Sequence, residues 1–173
     1  MKLHALSRLA VAGAFALTAA MAPISLVAQG SATVLKAADA QKLLPSSVYY
    51  KAQSAPSQLR NSGGLKFSDG YYVLATLVDT SGYSSDVAAK YQAYFISEVP
   101  IKIGSRSLPA GVYGVGFIGG NKFVVTDVGA HDIFSVNYST DEAIKRPMPL
   151  QFMANPAGGY RLYEGRKYVV ITR

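Results

Sequence analysis

Any chemistry in this chain draws on a narrow set of side chains, and His131 is the first to weigh. It sits in Asp127-Val128-Gly129-Ala130-His131-Asp132, where a neighbouring carboxylate could orient it as a general base or share a metal with it. A metal there would need carboxylates for every other side-chain ligand, because the second histidine, His4, lies near the N-terminus and cysteine is absent. The same six residues have the make-up of a tight turn between strands, where Asp, Gly and His are favoured on conformational grounds alone. The turn is the simpler reading. Asp127, His131 and Asp132 are kept as a polar site whose test is convergence in a pocket, and no metal or cofactor is expected.

Other catalytic patterns are weaker. No serine stands in Gly-x-Ser-x-Gly, and no Ser-x-x-Lys spacing places the pair on one helical face. Asp79-Thr80-Ser81-Gly82 invites comparison with the Asp-Thr-Gly loop of aspartic proteases, but its glycine comes one residue late and it has no second copy. A polar loop over Thr80 to Ser85 accounts for it better. The 10 acidic residues fall mostly in turn-like stretches, and spacing alone does not bring two of them together for glycoside cleavage.

Binding has better candidates. In Val112 to Ile118, strand alternation puts Tyr113, Val115 and Phe117 on one face and Gly114 and Gly116 on the other. Two glycines on one face leave a shallow trough, which either a neighbouring aromatic ring or a ligand would fill. Tyrosine is unusually common, with 12 copies beside no tryptophan. Near the C-terminus Tyr160, Arg161, Arg166 and Lys167 combine aromatic and basic side chains, a surface suited to a glycan or a partner protein.

The elements that must position these residues are mostly strands. From Val48 onward, short runs rich in Val, Ile, Tyr and Phe recur between Gly, Asn, Asp, Pro and Ser clusters. The clearest strands are Tyr71 to Asp79, Lys90 to Val99, Gly111 to Ile118, Lys122 to Val128, Asp132 to Tyr138, Leu150 to Ala154, Tyr160 to Tyr163 and Lys167 to Thr172. Shorter ones are expected at Val48 to Lys51, Gln58 to Asn61, Leu65 to Phe67 and Ile101 to Ile103. Gly119-Gly120 joins two of the longest runs and predicts an antiparallel hairpin. Between Gln29 and Pro45, the spacing of Val34, Leu35, Ala38, Leu43 and Leu44 predicts one short helix, with Thr33 as its cap. The fold expected is all-β, an antiparallel β-sandwich or a partly closed barrel, with a lipocalin-like barrel as the alternative. Residues 46–173 would form a single β domain.

The N-terminus reads as an export signal. Lys2, His4 and Arg8 form a basic tip, Leu9 to Ala22 an apolar run, and Leu26-Val27-Ala28 a small-residue cleavage site. Cleavage after Ala28 avoids leaving Pro23 at the new N-terminus, and residues 29–45 then link the signal to the β domain. The expected location is the periplasm or the exterior of a bacterial cell, with no transmembrane span after cleavage. Without cysteine, stability must come from packing, and roughly 145 residues suffice to bury roughly 70% of the unfolded surface. Lys2 and Arg8 supply two of the 17 basic residues; the remainder still exceeds the 10 acidic ones by five. That excess suits anionic envelope surfaces, and export argues against nucleic acid as a partner.

The stretch Leu108-Pro109-Ala110-Gly111-Val112-Tyr113, after Ile101-Lys102-Ile103-Gly104 and before the glycine-rich hairpin, resembles exported bacterial domains of unknown function with a Leu-Pro-Ala-Gly-x-Tyr strand entry. The resemblance spans residues 100–128 and implies fold rather than activity. The functional expectation is an exported, non-catalytic β domain that binds an envelope component, a glycan or a small apolar ligand. The alternatives are an assembly subunit of an envelope complex and a hydrolase using His131 with a neighbouring aspartate.

Overall fold

The computed structural model describes residues 31–173, so the expected signal segment lies outside the described residues. Among the described residues fourteen strands and two short helices follow one another. The first sheet contains β1 (Ala32–Leu35), β2 (Ser47–Tyr50), β3 (Gln53–Phe67), β4 (Tyr72–Val78), β5 (Ala93–Ser97), β8 (Gly111–Ile118), β9 (Lys122–Thr126) and β10 (Asp132–Asn137). Its order is β1-β3-β4-β5-β8-β9-β10, with β2 paired to the other end of the long β3. The second sheet contains β6 (Ile101–Ile103), β7 (Arg106–Leu108), β11 (Ser139–Thr140), β12 (Gln151–Ala154), β13 (Tyr160–Glu164) and β14 (Lys167–Thr172), in the order β12-β13-β14-β6-β7 with β11 beside β14. Every pairing is antiparallel. Both sheets keep free edges, so the protein is a sandwich; the closed, lipocalin-like alternative does not hold.

The main core lies between the sheets. Alternation turns Ala93, Phe95 and Ser97 of β5 inward, and Tyr113, Val115 and Phe117 of β8 with them. They meet Ile103, Leu108, Leu162, Val169 and Ile171 from the second sheet. The outer face of the first sheet is partly covered as well. Helix α1 (Ala37–Ala40) and the turn after it bury Ala40 and Leu44 on Leu74, while α2 (Ser85–Lys90) and Tyr91 cover β8. β4 is therefore buried on both faces over Val73 to Thr76, as befits a strand covered on both sides.

Three expectations change. The helix expected over Gln29 to Pro45 is only the single turn of α1; Ala32–Leu35 is extended, and Thr33 is mid-strand rather than a cap. The open edge of β3 wins over the weak helical spacing, because β1 pairs its backbone there from Ala32↔Phe67 to Leu35↔Gly64. The strand expected from Lys90 begins at Ala93, preceded by α2. The two short strands expected at Gln58 to Asn61 and Leu65 to Phe67 are one strand interrupted by a bulge. Its register jumps from Gln58↔Leu77 to Ser62↔Thr76, and the Ser62 hydroxyl closes the bulge by donating to the Leu59 carbonyl at 2.6 Å. The hairpin between β8 and β9 forms as expected, with Gly120 (φ 70) and Asn121 (φ 60) both left-handed.

Candidate functional site

The residues singled out from sequence fall into three groups. Asp127 and His131 belong to the β9–β10 turn, and Asp132 opens β10. Asp127 Oδ1 accepts from the backbone N–H of Gly129 at 2.8 Å and of His131 at 2.9 Å, while Oδ2 pairs with His131 Nδ1 at 3.0 Å. The backbone N–H of His131, then its ring, hold the Asp127 carboxyl below the usual range. The His131 side chain is 83% exposed, and Asp132 is engaged separately by Lys90 at 2.8 Å. Asp127 and His131 brace the turn, Asp132 ties it to the end of α2, and none of the three lines the clefts of about 610 and 450 Å³ formed elsewhere in the fold. Among the described residues no cluster of three or more His, Cys, Asp or Glu could hold a metal ion.

Gly114 and Gly116 do form a trough, and protein fills it. A Cβ on Gly114 would lie 2.6 Å from the Tyr91 ring and 2.9 Å from that of Tyr50; one on Gly116 would lie 2.5 Å from the Lys90 carbonyl oxygen. The Tyr50 and Tyr91 rings stack at 3.6 Å, with Tyr83 edge-on to both. Tyr50 shares a 2.8 Å hydrogen bond with the Thr126 hydroxyl, which donates on to the Gly114 carbonyl. No room remains for a ligand over the two glycines.

The C-terminal group splits. The Tyr160 hydroxyl bonds both the N–H and the carbonyl of Ala32, tying the second sheet to the outer edge of β1. Arg161 is structural too: it donates to Asn155 Oδ1 (2.9 Å), Asp141 Oδ2 (3.2 Å) and the Tyr163 hydroxyl (3.1 Å), and stacks 4.3 Å over Tyr168. Arg166 and Lys167, at the β13–β14 turn, instead face a cleft of about 610 Å³.

Tyr138, Thr140, Pro147, Pro149 and Glu164 complete that cleft, with Leu77 of β4 on the opposite sheet. Lys167 Nζ lies 3.8 Å from Glu164 Oε2 and 5.7 Å from the centre of the Tyr138 ring. Burial pushes the Glu164 carboxyl above its ordinary value, with Lys167 pulling the other way. Arg166 donates from Nε to the Ile144 carbonyl at 3.1 Å.

A second cleft, of about 450 Å³, is one that sequence reasoning missed. Val34, Leu35, Ala37 and Ala38 line one side and Met148, Leu150 and Phe152 the other; Ser62 is also at its surface, and Lys36 is its one charged lining residue. The two clefts share a wall, the segment Arg146-Pro147-Met148-Pro149-Leu150 that leads into β12. Pro147 and Pro149 line the polar cleft, while Met148 and Leu150 line the apolar one. The wall is fixed by a 3.0 Å bond from the Gly165 N–H to the Met148 carbonyl. Only placement in the fold makes this visible, since β1 and the wall lie more than a hundred residues apart.

Family models, curated proteins and solved structures were compared with the chain, and none matches. Among the described residues no helix is long and apolar enough to cross a membrane.

Proposed function

We propose that the protein is an exported, non-catalytic binding domain of the bacterial envelope or exterior, and that its ligand is a small amphiphile with one apolar chain. The observation carrying this reading is the groove between β1–α1 and the Arg146–Leu150 wall. Seven of its lining residues are apolar, and the single charge, Lys36, suits an anionic head such as a carboxylate. Leu150 and Phe152 also belong to the main core and Val34 packs against it, so the packing of the fold holds the groove's lining in place.

Displacement of a dansylated fatty acid from the purified protein by saturated fatty acids of increasing length tests the proposal. Each added CH₂ is worth about 0.8 kcal/mol, or about fourfold in affinity, until the chain outgrows the groove. Ala38→Trp, on the exposed rim, should abolish binding, and Lys36→Gln should weaken it for every chain length alike. Affinity independent of chain length would sink the reading.

A role as an assembly subunit has one observation in its favour. Among the described residues the outer edge of β10 is unpaired, and it carries exposed Ile133, a place where a partner strand could add. A monomer by light scattering at high concentration would count against self-association there. The hydrolase alternative is not carried forward, because His131 is exposed and its aspartate neighbours are already committed.

A further inference from the structure

We propose that the polar cleft on the Pro147/Pro149 side of the wall is a second, separate binding site, and that it takes a saccharide bearing a carboxylate. The cleft offers ring surface from Tyr138, Pro147 and Pro149, beside hydrogen-bonding groups of both kinds on Thr140, Glu164, Arg166 and Lys167. A pyranose matches that mixture, because its apolar C–H faces can lie on rings while its hydroxyls both donate and accept. An acyl chain does not, because it would leave the Glu164 carboxylate and two cations facing hydrocarbon. The Tyr138 ring is held in place edge-on to Phe117 at 5.6 Å, with Lys167 Nζ 5.7 Å from its centre, so an aromatic surface and a cation are set side by side in advance.

The case for an acidic sugar rests on the charges. Lys167 is shared with Glu164 at 3.8 Å, which leaves Arg166 as the cation in excess. Arg166 uses Nε on the Ile144 carbonyl, and among the described residues its terminal nitrogens have no hydrogen-bond partner. A guanidinium anchored at Nε with both terminal nitrogens free presents two N–H donors in a plane, the geometry that grips a carboxylate. No residue lines both the polar cleft and the apolar groove, so this site stands or falls independently of the amphiphile reading.

The test is calorimetric titration of the purified full chain with trigalacturonate and, in parallel, with neutral maltotriose. Trigalacturonate is expected to bind, more weakly as salt is raised, and at least about tenfold more tightly than maltotriose. Arg166→Gln, at an exposed position, should cost about tenfold for trigalacturonate and leave maltotriose unchanged. Tyr138→Leu should weaken both, and Ala38→Trp should weaken neither. No binding of either sugar overturns the proposal, as does trigalacturonate binding that Arg166→Gln leaves intact. Equal affinity for the two sugars overturns the acidic specificity.

Discussion

Around Gly114 and Gly116 the fold leaves no space, whereas around Pro147 and Pro149 it leaves clefts on both sides of one segment. The difference lies in what the backbone can do. The glycines sit in a central strand paired with β5 on one side and β9 on the other, and their missing side chains let Tyr50, Tyr91 and the end of α2 come down onto the sheet. Proline has no N–H to give to a ladder, so Arg146–Leu150 cannot join either sheet as an ordinary strand and crosses between them as a wall. Glycine draws the protein in; proline holds it apart.

The sharpest way to break this comparison is to put side chains where the glycines are. Gly116→Val drives a branched Cβ into the Lys90 carbonyl, which as backbone cannot swing aside, and should cost about 3 kcal/mol or more in urea denaturation. A smaller loss would mean that α2 is loosely held. The tyrosines over Gly114 allow a finer test. Tyr50→Phe removes the bond to Thr126 and should cost about 1 kcal/mol. The buried Tyr91 hydroxyl has no partner among the described residues, and Tyr91→Phe should raise stability by about 1 kcal/mol. Opposite signs from two stacked rings are the expected outcome, read from paired melts.

Glu164 sharpens the other half. Burial raises its pKa on folding, so its ionised form opposes folding; the penalty is full above the folded value and disappears as pH falls below the unfolded value of about 4.5. Glu164→Gln should therefore stabilise the protein at pH 7, with the gain vanishing below pH 4.5. A gain that persists in acid would place the effect elsewhere. The smallest stability change belongs to Ala38→Trp, within about 0.5 kcal/mol because the rim is exposed, even as it blocks the apolar groove.

Where period and punctuation agreed, the sequence could be read directly. β8, from Gly111 to Ile118, and β14, from Lys167 to Thr172, have the expected bounds: Gly119-Gly120 closes the first run and Gly165 precedes the second. α2 was legible in principle: Ser84, Asp86 and the Val87/Tyr91 spacing of four are helix-start signals, overshadowed by the polar character of Thr80 to Ser85. β1 was not, since its conformation is imposed by the free edge of β3 thirty residues away in sequence. Of the candidate site residues, Arg166 and Lys167 were marked by a basic, aromatic cluster and do line a cleft. Arg161 carried the same mark yet is consumed by Asp141, Asn155 and Tyr163. The apolar groove had no local signature, because its two sides come from opposite ends of the domain.

The most direct test of the account is methyl-resolved NMR of the protein titrated with dodecanoate. Saturable shifts confined to the methyl groups of Val34, Leu35, Met148 and Leu150, and absent from Ala38→Trp, are the predicted result. Shifts centred on core methyls such as Leu65 and Ile103, or none at all, would contradict it.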